Sequence, residues 1–292
     1  SAQGDPRGEF ITTQVSLGGE LEFPSRRIEL KRRERELLAE HRERWAGSVK
    51  EWASQYTFRR GFMDEIRADA ASLVAHGAAV LGREPVMRLW LDEVGKKEAS
   101  ALAGAPWMSV VRRLRLRGDL GDAGVSALAG SSHLAALVSL NLGGCGLGAK
   151  AMTALGKARL MGLRALSLSG NPIGDRGVSG LLATPLLSGC QRLYLARCGL
   201  TDAGVKLLAQ APQFGLLTGL CLGNNEVTDE AAKALAESPH LRGLKRLELD
   251  ENELSAKGRE ALEKRFGKRL KLAYGHPGEG EGGGDDEDGD DE

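Results

Sequence analysis

Leu163-Arg164-Ala165-Leu166-Ser167-Leu168-Ser169-Gly170-Asn171, with Gly177 and Leu181 downstream, decides the reading of this chain. Leu166 and Leu168 flank one residue, and in an extended segment that alternation puts both leucines on one face. The same arrangement recurs at Leu114/Leu116, Leu140/Leu142, Leu193/Leu195, Leu220/Leu222 and Leu247/Leu249, at successive steps of 26, 26, 27, 27 and 27 residues across the six pairs. Leu89/Leu91 lies 25 residues before the series and Leu270/Leu272 lies 23 after it. A step of this size signals stacked units, none of which can bury its apolar face alone.

Working outward from the leucine pairs, further columns line up. Three residues before each pair stands Val111, Leu137, Leu163, Cys190, Leu217 or Leu244. Five after its first leucine stands Asp119, Cys145, Asn171, Cys198, Asn225 or Asn252. A small residue follows (Gly124, Ala151, Gly177, Gly204, Ala231, Gly258), then a leucine four later at Leu128, Leu155, Leu181, Leu208, Leu235 and Leu262. Leu134, Leu160, Leu187, Phe214 and Leu241 close the units. Each unit therefore predicts a short strand, a turn and a helix, with Asn or Cys satisfying backbone groups buried at the turn. Burying each leucine contributes about 1.5–3 kcal/mol before conformational entropy is subtracted.

The pattern L-x-x-L-x-L-x-x-N/C followed by small-x-x-x-L resembles the leucine-rich repeat family, specifically its ribonuclease-inhibitor-like class. The resemblance implies an α/β solenoid: a horseshoe with parallel strands on the concave face and helices on the convex face. It covers about two thirds of the chain, residues 86–275.

Ahead of the repeats, the run from Gly4 through Asp5-Pro6 predicts a turn, with the apolar Phe10-Ile11 after it. Ser25 after Pro24 predicts the cap of a charged helix ending near Gly47. Leu30, Leu37, Leu38, His41 and Trp45 form its apolar stripe, and Glu29/Arg33 and Glu40/Arg44 are i,i+4 pairs on it. Phe62 and Ile66 predict a strand, with Asp69 capping a helix through Leu81, so residues 56–85 read as an N-terminal capping unit. The segments Gly4-Asp5-Pro6-Arg7-Gly8-Glu9-Phe10-Ile11, Arg33 to His41 and Arg60-Gly61-Phe62 resemble the bacterial repeat-companion domain and its linker. Residues 1–55 are then a partial companion region, since the helical segment that precedes this run in the family has no counterpart here. Residues 276–292 are expected to be a disordered acidic tail.

Net charge is zero, but the last 14 residues hold nine acids and no base, leaving 40 basic against 31 acidic groups in residues 1–278. The acidic tail is expected to compete with anionic ligands for those bases. No stretch approaches the roughly 18 apolar residues of a membrane span, and no signal peptide pattern is visible. The expected setting is cytoplasmic and reducing, for a monomer.

Candidate chemistry mostly falls into structural columns. Gly144-Cys145-Gly146-Leu147-Gly148 superficially suggests a dinucleotide loop but lacks the full spacing and occupies an ordinary repeat turn. Cys145, Cys190 and Cys198 sit in core columns, whereas Cys221 points to the other strand face and is expected to be accessible. No zinc spacing occurs, His41, His76, His133, His240 and His276 share no column, and neither metal, cofactor nor catalytic group is assigned. The residues between paired leucines remain: Trp90, Arg115, Asn141, Ser167, Tyr194, Cys221, Glu248 and Lys271. Trp90 beside Arg115, with Arg113 and Arg117 on the same face, joins residue types enriched in binding hot spots. Arg192, Tyr194, Glu248 and Asp250 extend that face around a smooth middle of Gly143, Ser169, Ala196, Gly219 and Gly223. The expected function is a non-catalytic scaffold binding the acidic or mixed patch of a protein partner. Two alternatives are a regulator of a small GTPase, since Ran GTPase-activating proteins look similar, and nucleic-acid binding through the helix carrying Arg26, Arg27, Lys31, Arg32 and Arg33. Interspersed Glu29, Glu34, Glu36 and Glu40 make the latter unfavourable.

Overall fold

In the computed structural model, which describes residues 5–19 and 24–267 and the backbone of Leu270–Lys271, each leucine pair lies in register with the next. The strands are β1 (Gln55–Arg59), β2 (Phe62–Asp69), β3 (Arg88–Asp92), β4 (Arg113–Leu116), β5 (Ser139–Asn141), β6 (Ala165–Ser167), β7 (Arg192–Tyr194), β8 (Gly219–Cys221), β9 (Arg246–Glu248) and β10 (Leu270–Lys271). They form one unclosed sheet in sequence order, with β1 antiparallel to β2 and all later neighbours parallel. Every L-x-L leucine of β3 to β9 is buried, and the residue between faces the other way. The expected acidic tail lies outside the described residues.

Helices α4 (Ala70–Leu81), α5 (Lys96–Ala103), α6 (Gly121–Ala129), α7 (Ala149–Gly156), α8 (Gly174–Leu182), α9 (Asp202–Ala209), α10 (Asp229–Glu237) and α11 (Ala256–Phe266) stack along the leucine side. The columns merge into one continuous core from Ala46 to Phe266. This is the α/β leucine-rich solenoid that the spacing predicts.

Two side-chain ladders lock neighbouring units. Asn171 accepts from the N–H groups of Cys145 and Leu147 at 2.9 and 3.0 Å and donates to the carbonyls of Leu142 and Leu168 at 2.8 and 2.7 Å. Asn225 does the same for Cys198 and Leu200, and Asn252 for Asn225 and Val227. Cys145 and Cys198 donate to Leu116 and Leu168 carbonyls instead. Asp119, in the same column, is exposed: Gly118 at φ +147° redirects this turn against the backbone of Val94. The second ladder is carboxylate. Asp175 accepts from the N–H and hydroxyl of Thr201 at 3.0 and 2.6 Å, and Asp202 from those of Thr228 at 2.8 and 2.7 Å. Asp229 receives Ser255 likewise, and these hydrogen bonds hold its carboxyl below the usual range.

The N-terminal segment departs from the expected turn. Asp5 caps a helix, α1 (Pro6–Leu17), by accepting from Arg7 N–H at 3.0 Å, with Pro6 pre-set for the first helical position. The next helix, α2 (Pro24–Ala46), starts at Pro24, so Ser25 sits within its first turn and is not its cap. Its stripe is present, and Leu37 and Trp45 are buried. Arg33, however, turns to Glu9 of α1 and to Glu36. A one-turn α3 (Val49–Trp52) leads into β1.

The expected capping strand is a hairpin. Arg60 and Gly61, at φ +51° and +83°, make the two-residue turn that joins β1 to β2. A Cβ on Gly61 would lie 1.9 Å from Ile11 Cγ1, so the turn and α1 meet in direct contact. Arg7 donates to the Gly61 carbonyl and to Glu84, and Gly61 N–H donates to Gln14. Gln14 and Arg42 in turn donate to the carbonyls of Phe58 and Tyr56. The free edge of β1, which would otherwise offer unpaired backbone groups, is thus covered by α1 and α2. Asp69 caps α4 as expected, and the Ser72 N–H that it accepts lowers its pKa.

Candidate functional site

On the strand face opposite the leucines, the parallel register sets Arg67 beside Trp90, Trp90 beside Arg115, and Arg115 beside Asn141. The row continues through Ser167, Tyr194, Cys221 and Glu248. Trp90 is flanked on both sides by guanidinium groups: Arg67 Cζ lies 3.4 Å and Arg115 Cζ 5.1 Å from its ring centroid. Such contacts contribute about 0.5–2 kcal/mol each, depending on desolvation. Arg67 is held by Glu65 at 3.0 Å, and Glu65 also meets Arg88 at 3.4 Å. Arg88 reaches Asp64 at 2.6 Å. Asp64 is the residue left over where the β1–β2 register shifts, so a bulge delivers this carboxylate.

The expected site residues do not form one cluster. Trp90, Arg113, Arg115 and Arg117 share one end of the face, on and just after β3 and β4. Arg192 and Tyr194 lie on β7, three strands away, or roughly 14 Å at about 4.8 Å per strand. Glu248 and Asp250 belong to the β9 region, where Glu248 pairs with Arg246 at 2.6 Å. Between these ends the face is low: Gly223 leaves room for Asp250, whose Oδ1 a Cβ there would approach to 2.7 Å. The side chain of Lys271 lies outside the described residues. Arg67, Glu65 and Arg88 were missing from the expectation. Their signal was Ile66-Arg67-Ala68, an apolar-x-apolar segment 23 residues before Leu89-Trp90-Leu91.

The glycine loop Gly144–Gly148 spends its donors internally: Cys145 and Leu147 N–H go to Asn171, and Gly148 N–H goes to Asp122. The four cysteines are free thiols. Burial pushes Cys145, Cys190 and Cys198 up to about 11. Cys221, expected to be accessible, is only half-exposed, and burial with help from Glu248 pushes it up to about 12. On the order of one molecule in 10⁴ then carries its thiolate at pH 8. Iodoacetamide at pH 8 is expected to label Cys221 of the folded chain at least a hundredfold more slowly than free cysteine. Rapid labelling of that peptide in intact-chain mass spectrometry would refute this environment. Among the described residues, no group of three or more His, Cys, Asp or Glu side chains is placed to hold a metal ion, and no helix is long and apolar enough to cross a membrane.

The family described as Leucine Rich repeat matches residues 162–182 and 191–209. No curated protein sequence matches the chain. Among solved structures, the chain is similar to an internalin from Listeria monocytogenes, with TM-score 0.44 and 16% identity over 71% of this chain and 58% of that one. It is also similar to a chain of the yeast Rad7 and Elc1 complex, with TM-score 0.46 and 16% identity over 89% and 56%. A chain of the TLR13–ssRNA13 complex gives TM-score 0.37 and 22% identity over 72% and 32%. The chain spans less than two thirds of the length of each of these structures. The family match thus falls on two successive leucine-rich repeats, residues 162–182 and 191–209, and the strands on either side of them continue the same leucine register.

Proposed function

We propose that the protein is a non-catalytic scaffold that binds an acidic or mixed segment of a protein partner along the Trp90 end of the face opposite the leucines. Leucine-rich repeats commonly mediate protein–protein contact. The observation that carries this reading is the Arg67–Trp90–Arg115 stack, with Arg113 and Arg117 on the same face. A flat indole clamped between two guanidiniums offers a pre-ordered contact with little side-chain entropy left to lose on binding. Arginine forks on neighbouring strands match carboxylates in pairs.

The finer assignments belong to the same proposal. The 26–27-residue step with a helix in each unit supports the ribonuclease-inhibitor-like class for residues 86–275. The meeting of Arg7, Ile11 and Gly61 supports reading residues 1–55 as a partial repeat-companion segment with residues 56–85 as the cap. Free, core-buried thiols support a reducing cytoplasmic setting.

The test is capture of partners from the source lysate with the intact chain and with a charge-reversed form carrying Arg113→Glu, Arg115→Glu and Arg117→Glu. Captured partner is expected to fall at least tenfold, and wild-type capture to weaken as salt rises from about 0.05 to about 0.5 M, which shortens the Debye length to a few ångströms. An unchanged set of captured proteins after charge reversal would sink the assignment of this face.

A further inference from the structure

At the end of β2 to β4 where those strands begin, a cavity of about 480 Å³ opens beside the Trp90 row. Five arginines line it, Arg59, Arg60, Arg88, Arg112 and Arg113, against one carboxylate, Asp64. The rest of its wall is apolar: Phe62, Met63, Pro85 and Met87. Phe62 and Met87 are large apolar side chains left 40% and 42% exposed, although their chain neighbours Met63 and Val86 are buried in the core. Asp64 is already committed to Arg88. Arg88 Nε is buried without a hydrogen-bond acceptor among the described residues, and Arg112 uses one donor on the Ala136 carbonyl at 3.3 Å, out of the five that a guanidinium carries.

We propose that this cavity binds an organic anion: a carboxylate or phosphate carried on an apolar, preferably aromatic, body. The volume lies in the range of small-ligand pockets, roughly 300–1,000 Å³. The apolar wall takes the body out of water, and the arginines at the rim meet the anionic head with paired, charge-assisted hydrogen bonds. Neither half suffices alone. An inorganic anion gains only screened attraction from exposed guanidiniums, and a neutral aromatic leaves the positive rim unmatched. The site shares Arg113 with the binding face above but does not rest on that reading, because its ligand requires no partner protein.

The intact chain titrated calorimetrically with phenyl phosphate and with 3-phenylpropionate is expected to show one site for each. Inorganic phosphate and benzyl alcohol should bind at least tenfold more weakly. Met87→Glu, which puts a like charge against the anion, and Arg112→Glu should each weaken the aryl anions at least tenfold, while Lys264→Glu on the distant α11 leaves them unchanged. A peptide arm, acetyl-Glu-Phe-Glu-amide, identifies the source: binding tighter than 3-phenylpropionate means that the anion arrives on a chain, and weaker binding means a free small molecule. Where a variant loses its circular dichroism, phenylglyoxal modification of the unaltered chain replaces it. Phenyl phosphate should then protect Arg59, Arg60 and Arg112 in peptide maps. Three results overturn the proposal: no binding of either aryl anion, inorganic phosphate binding as tightly as phenyl phosphate, or aryl-anion affinity and arginine protection indifferent to these residues.

Discussion

Asn171→Ala is expected to lower stability by about 4 kcal/mol or more, a loss outside the ordinary range for single substitutions. The asparagine is fully buried, and its amide satisfies four backbone groups in two adjacent units. Alanine leaves the N–H groups of Cys145 and Leu147 and the carbonyls of Leu142 and Leu168 without this partner. An orphaned buried group costs about 1–3 kcal/mol, and four such groups meet at this one side chain. For a chain of this size the fall in Tm should be about 8–16 °C, from roughly 2–4 °C per kcal/mol. Asn252→Ala should cost less, because Asn252 is only half-buried and lies nearer the chain's end. Thermal unfolding followed by circular dichroism measures both. A Tm for Asn171→Ala within about 2 °C of the wild type, against the 8–16 °C expected, would remove the ladder from the account of stability.

Phe10→Ala should act differently, by loosening one end while the repeats stay folded. Phe10 is fully buried, stacked on Trp45 at 4.9 Å and edge-on to Phe58 at 6.2 Å. It belongs to a small cluster apart from the main core. Truncating such a residue costs about 3–5 kcal/mol, enough to undock α1. The loss should appear locally, since solenoid units unfold semi-independently. Amides of β1 and of the Arg60-Gly61 turn should exchange with deuterium at least tenfold faster, while those of β5 to β9 keep their protection. With Gln14 no longer on the Phe58 carbonyl, the bared strand edge should also promote association at high concentration, visible by sedimentation. Unchanged exchange in β1 would mean that α1 does not guard this edge.

The contrast between these two sites explains what could be read from the chain. The repeats were legible because the physics repeats: a leucine pair every 26 or 27 residues fixes strand, face and register together. Asn171 was readable as a turn asparagine, although its hold on the preceding unit was not. The Asp175, Asp202 and Asp229 ladder stood in the sequence as ordinary acids in a helix's first turn, and its reach to Thr201, Thr228 and Ser255 exists only after stacking. At the N-terminal end nothing repeats. The hairpin turn carries Arg60 where asparagine would have announced it, so nothing marks β1 as the partner of the Phe62 strand that follows it. The binding face was half legible: Trp90 and Arg115 came from the ladder, whereas Arg67 came from a strand that lacks its leucines. The arginine cavity was not legible at all, because Arg59 at the end of β1, Arg88 at the start of β3 and Arg112 just before β4 come together only once the strands lie side by side.

The two ladders run in opposite directions along the chain. Each asparagine finishes the turn of the unit before it, and each aspartate fastens the helix start of the unit after it. No unit carries all the atoms that complete it. A cut placed inside a repeat strands partners on both sides, whereas adding or removing a whole 26- or 27-residue block keeps the leucine register and restores the side-chain pairings wherever the units that meet carry the asparagine and aspartate. Length in this architecture therefore changes in steps of a whole block, and a ribosome must deliver one unit before the previous one can close.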